Sequence, residues 1–256
     1  MRKLTSLLFL VILFSVGFFS CKKDPDKAPD MGYNYFPDQV GRFVVYDVDS
    51  IYYDENNIDA ATHIAPSIEF KFQVKEKIES IYTDNQNRPT IRLERYVKYF
   101  DGNVPYSQMP WIFRNVWAEN KTATTAEKVE ENIRYIRLSF PVKASQTWNG
   151  NAQNTQDAIN YSYSSIDQPL NLGLLAFDSV MQVTQQDETT LISKKYSIEK
   201  YCRKVGLIYK EYLNIESQPP SGWSGAQQTA YYQIPITQRP TKGTKYTMTA
   251  AYYGTE

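Results

Sequence analysis

Two cysteines and a single histidine hold most of the reactive side-chain chemistry of this chain. Cys21 follows Ser20 at the end of an apolar run, and Cys202 sits in Tyr201-Cys202-Arg203-Lys204. Basic neighbours lower a thiol pKa, but a nucleophilic cysteine also needs a positioned base. The histidine, His63, lies in the loop-like stretch 59–66, far along the chain from Cys202. Cys202 is therefore expected to be a buried, inert thiol. A serine triad would have to use His63 as well, and no GxSxG elbow surrounds any serine. Metal sites draw on His, Cys and carboxylates at fixed spacing. The chain has no CxxC, HExxH or EF-hand loop and no Gly-rich phosphate loop, so neither metal nor cofactor is expected. Carboxylate pairs of the glycosidase kind need no sequence signature. Glu130-Glu131 and Asp187-Glu188 are the candidates, and both read as solvated strand ends.

Aromatic residues are the other source of chemistry. There are 21 tyrosines, 12 phenylalanines and four tryptophans. Trp111 and Trp117 are spaced by an even number of residues, so a regular strand puts them on one face. Trp148-Asn149-Gly150 and Gly222-Trp223-Ser224 lie in turn-rich segments. Exposed tryptophans stack on sugar rings or peptide side chains. Trp111, Trp117, Trp148 and Trp223 are thus the candidate ligand-binding residues, with core packing as the competing reading.

The N-terminus carries an address. Arg2 and Lys3 precede the almost wholly apolar Leu4–Phe19, and Ser20-Cys21 closes it. A basic start, an apolar stretch and a small residue make a secretory signal. The stretch is shorter than the roughly 20 residues of a membrane-spanning helix, and Thr5, Ser6, Ser15 and Gly17 interrupt it. The cysteine just after the cut resembles the lipobox of bacterial lipoproteins. That resemblance implies cleavage before Cys21 and a lipid on its thiol. The expected organisation is a signal peptide over 1–20, the lipidated Cys21 with a flexible tether over 21–34, and one β-rich domain over 35–256. The tether residues 22–30 read KKDPDKAPD, too charged and proline-rich to bury a core.

Basic and acidic residues balance at 28 each, so nucleic acid is not an expected partner. With Cys21 lipidated, Cys202 has no disulfide partner. Periodicity is two along most of the chain. Ile68-Glu69-Phe70-Lys71-Phe72-Gln73-Val74-Lys75 alternates strictly and predicts Phe70, Phe72 and Val74 on one buried face. Ile78 keeps the phase and Ile81 does not, which predicts a bulge. Asp84–Pro89 supplies a turn, and 90–100 resumes the alternation, so 67–82 and 90–100 form a long hairpin. Further strands are expected at 42–53, 111–118, 127–140, 159–164, 177–185, 206–215, 230–236 and 246–253. Residues 191–201 fit a short helix or a strand equally. The fold class is mainly β: about ten antiparallel strands in a curved meander sheet or partly closed barrel, with at most a short helix.

Three segments resemble cell-envelope and outer-membrane lipoproteins of Bacteroidota. They are Tyr35-Phe36-Pro37 with Gly41, the strand Val205-Gly206-Leu207-Ile208-Tyr209-Lys210-Glu211, and the closing Tyr252-Tyr253-Gly254. Val40-Gly41 and Val205-Gly206 each lead into an aromatic-bearing strand. The resemblance implies an envelope location, an outer-membrane anchor and a β-rich fold, and it carries no active site. It also implies O-glycosylation acceptors at Ser50 in Asp49-Ser50-Ile51 and at Ser179 in Asp178-Ser179-Val180. Lys22, Lys23, Asp24 and Asp26 partly match the cell-surface sorting signal of that phylum.

The expected role is a non-enzymatic binding or assembly module, held to the membrane by its lipid, with another envelope protein or a glycan as partner. Two alternatives stand beside it. One is a carrier of an apolar or glycan ligand in the concave face of the sheet, and the other is a carboxylate-dependent hydrolase. An open apolar cavity separates the first, and converging buried carboxylates the second. For the anchor, Cys21→Ala is expected to leave the precursor uncleaved and without acyl mass by intact-mass analysis. A mature chain of the same mass from both versions would refute lipidation at Cys21.

Overall fold

The computed structural model describes residues 29–256. The expected signal peptide and Cys21 lie outside them. One compact unit runs Met31–Glu256, so Met31–Asn34, expected in the tether, belong to the folded domain.

Twelve strands are present among the described residues, in one sheet. They are β1 (Arg42–Tyr53), β2 (Ser67–Thr83), β3 (Pro89–Tyr99), β4 (Ile112–Lys121), β5 (Thr125–Glu130) and β6 (Ile133–Ser139), then β7 (Thr147–Asn149), β8 (Asn160–Leu172), β9 (Leu175–Thr189), β10 (Ser193–Cys202), β11 (Gly206–Glu216) and β12 (Lys242–Thr255). The order is β6-β5-β4-β3-β2-β1-β12-β11-β10-β9-β8-β7. β1 and β12 pair centrally, and each half of the chain meanders outward from them. Every neighbour is antiparallel, and the sheet curls until it is nearly a closed barrel.

The expected hairpin β2–β3 is present, with the bulge between Ile78 and Ser80. Two expectations need correction, and one that was open is decided. Residues 127–140 are two strands, parted by the turn Glu131-Asn132, with φ of 48° and 66°. Left-handed backbone at both central residues fits a tight hairpin. Of the segment 191–201, open between helix and strand, residues 193–201 belong to the strand β10. The strand expected at 230–236 is instead the end of a helix, α1 (Gly225–Gln233). Ser224 accepts from the Gln227 amide, and Gln227 answers the Ser224 amide. This capping box satisfies two end donors and favours the helix locally, and Pro235 follows its end.

The two edge strands, β6 and β7, are not laddered to each other. The Ile136 amide donates to Gly150 O at 2.9 Å. Trp148 Nε1 donates to Ile136 O at 3.0 Å, and Tyr163 Oη donates to Ser139 O at 2.6 Å while accepting from the Ser139 amide at 2.8 Å. One main-chain bond and the side chains of Trp148 and Tyr163 therefore do at this seam what a ladder does elsewhere.

The segment before β1 plugs one end of the barrel. Tyr35 and Phe36 are buried among Leu138, Phe140, Tyr161 and Met181, residues from both sides of the seam. Lys121 Nζ donates to Phe36 O at 3.0 Å, and the Lys204 amide donates to Asn34 O at 2.6 Å. Arg203 holds Asp167 at 2.5 Å and stacks on the Tyr35 ring, whose hydroxyl donates to the same carboxylate at 2.6 Å.

The two Val-Gly pairs now have a cause. Gly41 and Gly206 have φ of 86° and 94°. A Cβ on Gly41 would lie 2.4 Å from Glu256 O, and one on Gly206 would press on Pro37 at 3.2 Å. Both glycines sit where strands pass the chain end or the plug. Gly41→Ala combines backbone strain with a backbone clash, whereas Gly102, φ 83°, faces open space. Gly41→Ala is expected to cost about 2–3 kcal/mol and Gly102→Ala about 1 kcal/mol in urea unfolding. Equal costs would contradict the close approach at Gly41.

Candidate functional site

The residues singled out from the sequence do not gather in one place. Trp117 lies under Arg95, 3.6 Å from the guanidinium carbon to the ring centroid, with Lys128 also over it at 4.8 Å. Trp111 instead lies against Lys98 at 4.3 Å. A register shift opposite Arg95 and Tyr96 skips Arg114 and reverses the phase, so the two tryptophans do not share a face. Trp148 packs at the seam against Tyr163, ring centroids 4.5 Å apart. Trp223 packs with His63 and Tyr231 beside α1. All four tryptophans are half-buried. Cys202 is buried in the cluster of Val44, Val180 and Val205, and burial pushes its thiol pKa up. His63 lies against the rings of Trp223 and Tyr231. Ser50 and Ser179 lie within β1 and β9 and are half-buried.

The barrel interior holds charge. Lys128 Nζ lies 3.0 Å from Glu76 and 3.3 Å from Glu119. Glu76 also takes Arg95 Nε at 3.0 Å. Arg137 meets Glu130 at 2.7 Å and Glu199 at 3.4 Å, and Lys210 meets Glu199 at 3.4 Å. Tyr201 donates to Glu199 at 2.6 Å. Burial would raise the Glu76 pKa, but Lys128 and Arg95 hold it below the ordinary value. Burial does raise Glu119, and the Glu76 charge adds to the rise against the pull of Lys128. Burial opposes the charge on Lys128, yet Glu76, Glu119 and Glu130 keep its pKa above the ordinary value.

These carboxylates were missed from sequence, and Glu130 was read as solvated. It is instead ion-paired inside, while Glu131, Asp187 and Glu188 are exposed as expected. A signal existed. Glu76 takes an apolar-phase position between Val74 and Ile78, and Arg95 does so between Leu93 and Val97. The two are register partners on β2 and β3.

The cavity beside this network measures about 70 Å³ and is lined by Glu76, Glu119, Glu130, Glu199 and the plug residues Phe36 and Pro37. That holds a few waters, not a sugar ring. Away from the plug the barrel opens into a larger cavity of about 850 Å³. Tyr246, Ser50 and Phe70 stand side by side on β12, β1 and β2, with Phe72 and Tyr99 in the next row. These residues line the cavity with Phe100 and Arg114, and Arg95 reaches it from the charged layer. The sequence placed Phe70, Phe72 and Val74 on one buried face. They do share a face, but only Val74 is buried; Phe72 is half-covered and Phe70 is 53 % exposed, because that face ends in an open mouth. Tyr99 and Phe100 are 53 % and 52 % exposed. No group of His, Cys, Asp and Glu among the described residues is arranged to hold a metal ion.

An aromatic mouth above a fixed guanidinium can take up a ligand with an apolar body. Comparison with known protein families, with curated proteins and with solved structures finds no match for this chain.

The network makes a pH prediction. Glu76 has a folded pKa below its ordinary 4.5, so its contribution is complete above that pH and fades as pH falls through the folded value. Glu76→Gln is expected to cost about 3–5 kcal/mol at pH 7, and less below pH 4.5. Glu119 is raised above 4.5, so the fold favours its neutral form, and that advantage is lost as pH rises through the folded value. Glu119→Gln should therefore gain on the native chain as pH rises from about 4 to 8. Denaturant midpoints across that range check both, and parallel curves for the two variants would contradict the opposed shifts.

Proposed function

We propose that this chain is a non-enzymatic, lipid-anchored envelope protein that holds an apolar-bodied ligand in the open mouth of its barrel. The observation that carries the reading is the cavity of about 850 Å³ walled by Phe70, Phe72, Tyr99, Phe100 and Tyr246. Its volume lies within the roughly 300–1,000 Å³ of small-molecule sites. Exposed, clustered rings mark a surface meant to be covered. The export signal and Cys21 support the anchor, and the Bacteroidota resemblance supports the outer membrane as its location.

A carboxylate hydrolase fits less well. The converging acidic pairs, Glu76 with Glu119 and Glu130 with Glu199, are each bridged by a cation. The space beside them admits only water. A glycosidase needs its two carboxyls on either side of a bound sugar.

The test is a neutral, environment-sensitive dye, N-phenyl-1-naphthylamine, titrated into the protein. Saturable fluorescence is expected, weakened at least about tenfold in Phe70→Asp and Tyr99→Ala, a loss of about 1.4 kcal/mol. Both residues are half exposed, so neither change should unfold the chain. Absence of saturable binding, or equal binding by both variants, would remove the mouth as the site.

A further inference from the structure

We infer that the ligand of the mouth is an organic anion, an amphiphile whose carboxylate meets Arg95 while its apolar body lies along Phe70, Phe72, Tyr99 and Phe100. This rests on the mouth being the binding site and adds the charge of what enters it.

Arg95 is only 8 % exposed, yet it lines the cavity. Its position is fixed from three sides. Nε donates to Glu76 at 3.0 Å, Nη1 reaches Asn115 Oδ1 at 3.5 Å, and the guanidinium plane lies over Trp117 at 3.6 Å. A guanidinium presents five donors in a planar fork, and these contacts leave Nη2 without a protein acceptor among the described residues. The carboxylate facing Arg95 is not its own: Glu76 also binds Lys128 at 3.0 Å. Arg95 thus shares one carboxylate with Lys128, whose other partner is Glu119 at 3.3 Å, and the Arg95 Nη2 remains the donor turned to the cavity.

The other charges of the mouth point the same way. Glu69 and Lys71 pair with each other at 3.4 Å. Arg114 donates to the Tyr99 hydroxyl at 2.8 Å, and no carboxylate pairs with it among the described residues. The charged lining of the cavity is therefore the Glu69–Lys71 pair with two guanidiniums, Arg114 at the rim and Arg95, whose ion-pair partner Glu76 lies behind it in the charged layer. Deeper in, burial favours the neutral form of Glu119, and any proton it holds removes a negative charge. A buried guanidinium with a free donor favours an anion and disfavours an amine, because a second cation beside it would be repelled in low dielectric. A neutral ligand would cover Arg95 without meeting its free donor, which is the more expensive outcome for a buried polar group. A carboxylate matches the planar fork with two parallel hydrogen bonds.

The experiment is calorimetric titration of the compact unit Met31–Glu256, which holds the whole sheet and its core. The probes are decanoate, decan-1-ol and decyltrimethylammonium, which share one tail. Decanoate is expected to bind at least tenfold tighter than the other two. In Arg95→Gln that preference should fall below twofold. Arg114→Gln, at the rim, is expected to reduce the preference about threefold, and it decides the matter should Arg95→Gln not fold. Equal affinity for the three probes, or an unchanged preference in the variants that fold, overturns the anion inference and leaves the mouth reading standing. No binding by any probe removes the mouth reading itself, and the inference with it.

Discussion

Lys128 is an ammonium group taken out of water and set between Glu76 and Glu119, and the interior of the barrel is arranged around keeping it charged. Desolvating an ion costs several kcal/mol, which only close partners offset. Glu76 supplies one partner and hands its second oxygen to Arg95, which links β5 to β2 and β3. A second group performs the same service across the barrel. Arg137 on β6 reaches Glu199 on β10, and Lys210 on β11 reaches the same Glu199. β6 and β10 are not neighbours in the sheet. These pairs therefore join the two halves of the meander through the interior, where the β6–β7 seam has no ladder to join them.

That arrangement explains where the apolar material lies. Apolar clusters occupy the plugged end, around Tyr35, Leu138 and Met181, and the wall around Val48, Ile208 and Met248. The charged layer sits among them, and the mouth lies beyond. Replacing buried ion pairs by apolar residues is often neutral or stabilising, so the layer is weak evidence for stability. What it supplies is geometry. It holds the Arg95 guanidinium still at the floor of an open aromatic cavity, and a pre-organised donor binds without a cost of ordering.

The plug ties this to the chain's termini. The segment carrying Tyr35-Phe36-Pro37 closes the barrel end, and Gly41 lets β1 start against the last residue, whose amide donates to Gly41 O at 2.9 Å. The Glu256 carboxylate also pairs with Lys75 and, at 2.9 Å, with Lys77. Motifs that stand out in the sequence as a phrase are thus a closure device.

The alternation of residues by itself determined most of the strands, the β2–β3 hairpin and its bulge, because side chains on a strand must alternate between faces. The sequence also marked Cys202 as a buried thiol, and it is buried. Alternation failed where one local rule competes with another. Glu131-Asn132 splits one apparent strand into two, and the Ser224–Gln227 cap turns 230–233 helical. Whether a face is wet or buried is not a local property at all. Phe70 and Val74 share a phase, but one lies at a mouth and the other in the core. Glu76, Arg95 and Lys128 break the apolar phase of their strands, and each alone reads as an error in the pattern. Pairing of β2 with β3 sets Arg95 beside Glu76 at 3.0 Å, but only curling of the sheet brings Lys128 of β5 to Glu76 at 3.0 Å, and only closure makes a cavity, because concavity belongs to the curved sheet and to no single strand.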